Sequence, residues 1–310
     1  MKRYLPRRLG IAVAGGLAAL VVFLPASGAS AATTTLNGDW APFNRCPVEN
    51  SSMLAADGSS TLAFCLASDS PSGSITLGNI TVASGDVNLQ AGVLENTSDD
   101  SFTVVSPSGG ALVAAPVQIP GGLLGLICPS DIPVVSAVCS QITSSALNTV
   151  TAVVQPAGSP SGFSLAAGLS EGVPIITVPV KIQLVNPLLG SDCYIGSNAS
   201  PILLTPENLT APKIGAEFFD ANGTPDTAGV MESIASTGGT EGAGSAPIPG
   251  ATGCGLLGVL DGVVDLKVGL PSPAGQSSFT LNDASSYFAG VRSPGSDDGQ
   301  LLAQYWSSAQ

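Results

Sequence analysis

Histidine is missing from this chain altogether. Without an imidazole there is no Ser-His-Asp or Cys-His nucleophile and no zinc site built on histidine ligands. Cations are scarce: nine Lys and Arg stand against 22 Asp and Glu, a formal net charge of −13 over 310 residues. A nucleic-acid binder needs a basic footprint to displace phosphate counterions, so this balance argues against nucleic acid as a partner. Charge of either sign is thin, at 10% of residues, where soluble domains carry about 25%. Aromatics reach only 5%, yet hydrophobic residues make up 44%. Disorder requires the opposite combination, so a folded core is expected.

What is present begins with an export segment. Lys2, Arg3, Arg7 and Arg8 precede an apolar run from Leu9 to Pro25, and Ala29-Ser30-Ala31 supplies small residues for a signal peptidase. Residues 1–31 are therefore expected to be a signal peptide cut after Ala31. The run contains Gly10, Gly15, Gly16 and Pro25 and is short for a spanning helix, which needs about 20 apolar residues. No cysteine follows the cut to carry a lipid, and no second long apolar run appears. The expected mature chain is secreted and has no integral membrane segment. It keeps Arg45, Lys181, Lys213, Lys267 and Arg292, five cations against 22 acids, a balance of −17. Ion pairs cannot organise such a chain; its acids stay solvated and repel anionic surfaces.

All six cysteines, Cys46, Cys65, Cys128, Cys139, Cys193 and Cys254, lie beyond the export segment. An even number outside the cytosol reads as three disulfides, for which 15 connectivities exist. The economical pairing is sequential: Cys46–Cys65, Cys128–Cys139 and Cys193–Cys254. There is no CxxC pair to suggest a metal site.

The remaining sequence reads as strands. Ser74 to Leu77 and Ile80 to Val82 alternate around Gly78-Asn79, a hairpin signature, and Asp86 to Gln90 follows. Phe102 to Val105, Ala111 to Ile119 and Thr149 to Val154 look like further strands. Ile176, Val178, Val180, Ile182 and Leu184 give the strongest period of two, with Pro179 suggesting an edge or bulged strand. A short helix is expected between Cys128 and Cys139. Leu256, Leu257, Leu260, Val263 and Val264 suggest a second, amphipathic one. Thr237 to Gly253 reads as a mobile, exposed Gly/Ala/Ser/Thr loop. The expected fold is mainly β, an antiparallel sandwich-like unit or units with one or two short helices, stapled by disulfides. Gln155 to Gly162 is a cluster of turn formers. It marks either a linker at 156–162 between β-rich units at 32–155 and 163–310, or a long loop inside one large β domain.

The run Asn186-Pro187-Leu188-Leu189-Gly190-Ser191-Asp192-Cys193-Tyr194-Ile195-Gly196-Ser197 resembles a segment of an uncharacterised family of secreted proteins of high-GC Gram-positive bacteria. The Leu124–Cys139 and Cys254 segments are similar to the same group. The resemblance implies an actinobacterial extracellular protein and carries no activity or catalytic residue with it.

Three patterns invite a chemical interpretation. Gly168-Leu169-Ser170-Glu171-Gly172 matches GxSxG, but the elbow needs a histidine base and a following helix. Asp220 to Asp226 spaces oxygen ligands alternately, as calcium loops do; Pro225 and Met231 stand where an EF-hand needs Gly and Glu. Asp99-Asp100, Asp261/Asp265 and Asp297-Asp298 are carboxylate pairs of the kind glycoside hydrolysis uses. More often such pairs are solvated turns. No catalytic residue, metal ligand or cofactor is assigned. The expected function is a secreted or cell-surface noncatalytic protein that binds an apolar ligand or a partner surface. The alternative is an extracellular hydrolase using paired carboxylates, such as a glycosidase.

Overall fold

The computed structural model describes residues 35–127, 146–244 and 246–310. The export segment, the pair Cys128 and Cys139, and the helix expected between them lie outside the described residues.

Alternation along β1(Thr61–Ser70) sets the architecture. Ala63, Cys65 and Ala67 face one side, and Phe64 and Leu66 pack on the other, as the two-residue period of a strand dictates. Antiparallel neighbours flank it: β4(Val87–Asn96) on one edge and β16(Ser278–Val291) on the other. The larger sheet runs β12(Glu207–Asn208), β14(Met231–Gly244), β16, β1, β4, β5(Ser101–Val105). β13(Lys213–Phe219) pairs with β14, the hairpin β2(Ser72–Leu77)/β3(Ile80–Ser84) with the start of β16, and β6(Leu112–Ala114) with β4. The hairpin turn falls at Gly78-Asn79 as expected, with Gly78 at φ 54°. The smaller sheet runs β15(Ala251–Thr252), β10(Tyr194–Ile195), β9(Val178–Val185), β8(Thr151–Pro156), β7(Val117–Gln118), with β11(Ile202–Leu204) also on β9. The fold is mainly β and antiparallel.

Two hydrophobic layers result. One lies between the sheets and is mostly aliphatic, built from residues such as Leu66, Leu89, Val93, Val178, Val180, Ile182 and Leu184. The other lies on the far face of the larger sheet. There Trp40 and Phe43 of a 3₁₀ turn (Gly38–Phe43), Met53 of α1(Ser51–Leu54), and Leu302 and Trp306 of the C-terminal helix (Asp298–Ser308) pack on Cys65, Phe219 and Met231. Among the described residues the other α-helices are α2(Gly122–Ile127), α3(Leu165–Gly168) and α4(Asp261–Val268), which makes the C-terminal helix α5. The disulfides Cys46–Cys65 and Cys193–Cys254 join the pairs expected from sequence order.

Three local expectations need correction. β9 is a central strand with partners on both sides, not an edge. Pro179 is accommodated because its carbonyl accepts from Ala157 N–H at 3.0 Å just past the end of β8. The nitrogen of a residue points to the same side as its carbonyl, so the missing N–H faces a position where the ladder has already stopped. Thr237–Gly253 is not one exposed loop: β14 continues through Gly244, gripped by β16 and β12. Finally, the apolar run after Cys254 does not form one helix. Gly255 (φ 72°), Leu257 (φ 57°) and Gly258 (φ 77°) break it, leaving Leu256 and Leu257 exposed. Only the following α4 buries a face, through Val264 and Val268.

The stretch 156–162 starts at the end of β8 and enters the connection to β9, with which β8 pairs. Strands from both sides of it share the larger sheet, where β14 and β16 lie beside β1 and β4. The scarcity of cations has a visible consequence at Arg45. This buried guanidinium donates to the carbonyls of Gly110, Asn88 and Ala111 and to Asn88 Oδ1.

Candidate functional site: a trough on the larger sheet

The register across β14, β16 and β1 aligns three rows of side chains on the sheet face that looks toward the smaller sheet. The first row is Glu232, Gly290 and Phe64, the second Ile234, Phe288 and Leu66, the third Ser236, Ser286 and Ser68. Rows two residues apart along a strand stand about 7 Å from one another. The strip is therefore acidic at one end, apolar in the middle and hydroxylated at the other. Gly290 matters here: a Cβ would lie 2.4 Å from the Phe64 ring, displacing a ring that stacks on Phe288 at 4.5 Å. Phe163 stacks on the same Phe288 at 5.5 Å, and Phe102 meets Phe163 edge-on at 5.3 Å. Four of the nine phenylalanines thus gather in one wall.

Two cavities open along this strip and share Leu165, Ile234 and Phe288 as lining. The larger, about 300 Å3, is bordered by Glu95, Glu232, Arg292 and Asp298 over an apolar floor. The smaller, about 50 Å3, lies among Leu66, Leu169, Ile175 and Phe288 and reaches Glu241 and Ser286. Two separate narrow crevices of about 40 Å3 each lie between the sheets around Ile75, Leu77, Val154 and Ile182.

Glu241 is 6% exposed. Burial pushes its carboxyl above the usual range, and a hydrogen bond from Ser286 partly opposes this. Ser286 Oγ lies 3.2 Å from Glu241 Oε1 and 2.9 Å from Ser68 Oγ. Ser286 Oγ thus has one proton and two acceptors within reach, Ser68 Oγ and Glu241 Oε1. An irregularity in β14 brings Glu241 here: the register with β16 shifts between Thr237 and Gly239 and again between Gly239 and Glu241. Gly238 (φ 69°) and Asp283 (φ 51°) mark the distortion in the two strands. Bulges re-aim side chains in this way.

The same cavity at Glu241 is lined in part by the GxSxG segment. Leu165 and Leu169 line the cavity, and Asn208 Nδ2 fastens the segment by donating to the carbonyls of Gly168 and Ser170, each at 2.9 Å. Ser170 Oγ donates to Ala166 O; it closes its own helical turn.

Most of the other sequence candidates serve the backbone. Asp99 Oδ1 accepts from Ser101 N–H in the β4–β5 turn, where Asp100 has φ 54°. Asp261 Oδ1 accepts from Cys254 N–H and Asp265 Oδ1 from Ala251 N–H, both at 2.6 Å. Asp220 Oδ1 accepts from Asn222 and Thr224 N–H, and Asp226 Oδ1 from Ala228 N–H. Among the described residues no three acidic or cysteine side chains are grouped to hold a metal. Asp297 precedes α5, while its neighbour Asp298, 1% exposed, borders the larger cavity and accepts from Ala63 N–H at 2.7 Å. Burial pushes Asp298 up to about 6; the Asp297 charge adds to the rise and the Ala63 hydrogen bond opposes it. Glu95 is raised by burial and by the charge of Asp100.

The structure therefore brings Asp298 together with Glu95 and Glu232, none of which was its expected partner. Sequence reasoning missed Glu95, Glu232 and Glu241. The available signal was Met231, Ser233 and Ala235 alternating with Glu232 and Ile234, obscured by the breaker-like Gly238-Gly239. No family model, curated protein or solved structure matches the chain. No helix among the described residues is long and apolar enough to cross a membrane.

Proposed function

We propose that this is a secreted, noncatalytic binding protein that takes an apolar ligand in the trough on the larger sheet. The observation that carries this is the pair of neighbouring cavities that share Leu165, Ile234 and Phe288 as lining and are walled by stacked phenylalanines. Concave apolar sites with a few convergent polar groups are the usual form of small-molecule sites. Secretion is supported by the two disulfides among the described residues, which persist in oxidising compartments. The test is titration with N-phenyl-1-naphthylamine, a neutral probe whose fluorescence rises in apolar sites. Saturable enhancement is expected, and Ile234→Arg should abolish it with the melting temperature of the folded protein retained. Absence of enhancement, or enhancement indifferent to Ile234→Arg, removes the trough as the site.

One observation favours a second function, carboxylate-dependent hydrolysis: Asp298, Glu95 and Glu232 border one cavity, and a carboxyl raised by burial suits a general acid. Release of nitrophenol from aryl glycosides, lost in Glu232→Gln, would establish it; no release from a panel of such substrates retires it.

A further inference from the structure

Resting on the trough as a binding site, we infer that it selects amphiphiles carrying a protonated amine, seated against Glu241 and Ser286. Glu241 is 6% exposed and makes one hydrogen bond, from Ser286 to Oε1. Among the described residues no cation and no second donor reaches its carboxyl. An ionised carboxylate held in apolar surroundings without a counter-charge is strongly disfavoured. A ligand ammonium supplies both the missing charge and N–H donors for the free lone pairs.

The surroundings select the rest of the ligand. Leu169, Ile175 and Phe288 line the cavity at Glu241, and Ile234 and Phe288 also line the neighbouring larger cavity, so an aliphatic or aromatic body finds apolar contact along this strip. Fatty-acid carboxylates are disfavoured beside Glu241; at the other end Arg292 stands among Glu95, Glu232 and Asp298, so three acids face one cation there. The bulge supports a role in binding: regular pairing would not require Asp283 at φ 51° in β16 or the register shifts on either side of Gly239 in β14, and strained backbone of this kind concentrates at functional sites.

The experiment is competition against N-phenyl-1-naphthylamine on the full chain at pH 7, with three probes of one length: nonylamine, nonan-1-ol and nonanoate. Nonylamine is expected to displace the dye at about one tenth the concentration of nonan-1-ol or lower, the size of one charge-assisted hydrogen bond. Nonanoate should be the weakest. In Glu241→Gln the amine advantage should collapse to less than about threefold. A general attraction of cations to the acidic surface would survive that substitution and would overturn the inference. Equal displacement by all three probes in the unmodified protein also overturns it, whatever the variant does, while leaving the trough as an apolar site. Failure of the dye itself to bind removes the trough first.

Discussion

The two faces of the larger sheet are made by the same strands yet are filled in opposite ways. On the helix-covered face, Trp40 meets Phe219 edge-on at 5.5 Å and Phe43 at 6.1 Å, and Trp306 Nε1 donates to Phe43 O at 2.8 Å. Gly92 lies so close under Met53 that a Cβ would sit 2.6 Å from Sδ. On the face toward the smaller sheet, Phe64 and Phe163 stack on Phe288, cavities open beside them, and a carboxyl is buried with one hydrogen bond. A complete face holds the sheet together. An incomplete one leaves room for something else, and binding sites occur where packing is left unfinished.

The contrast is broken most directly by truncating one large side chain on each face. Phe219→Ala should cost about 3–5 kcal/mol by emptying a filled layer. Ile234→Ala, bordering space that already exists, should cost less than about 1.5 kcal/mol. Urea denaturation of both variants measures the difference, and equal losses would show the two faces to be packed alike. Next in size is the disulfide set into the helix-covered face. Replacing Cys46 and Cys65 together by Ala opens a link between residues 19 apart and should remove about 2–4 kcal/mol, read as a lower denaturation midpoint.

Asp298 stands where the two faces meet, holding Ala63 of β1 and bordering the trough. Its carboxyl is about 6 in the fold against 3.8 ordinarily. The folded state therefore binds this proton more tightly, so this group's contribution to stability is fully present below about pH 4 and is lost as the pH rises through about 6. The expected loss is about 1–2 kcal/mol, reduced from the full linkage because the cavity admits solvent. Asp298→Asn should flatten that part of the stability–pH curve; an unchanged slope would mean that the carboxyl ionises freely in the fold. The smallest effect is expected at Ser170, whose hydroxyl only closes its own turn. Ser170→Ala should change stability by less than about 0.5 kcal/mol and leave any hydrolytic activity untouched.

The strand-rich parts of this fold were legible wherever alternation was clean. β2, β3, β5, β8 and β9 fall close to where the sequence places them, because a two-residue period with Gly or Asn turns has few other solutions. The two described disulfides were legible as pairs. β14 was hidden because Gly238-Gly239 and neighbouring small residues read as a loop, whereas pairing on both sides overrides poor intrinsic preference. The site was illegible for the same reason: its buried carboxyl sits just past that glycine pair.

Composition settled on its own that histidine chemistry is impossible here and that few ion pairs can form, since no fold can supply residues the chain lacks. Local periodicity likewise settled that the chain makes strands. Only the tertiary structure decided which face of each strand would be covered and which left open. That depends on segments far apart in sequence coming together, as when Ala63 donates to Asp298, 235 residues away, and no local pattern encodes such a meeting.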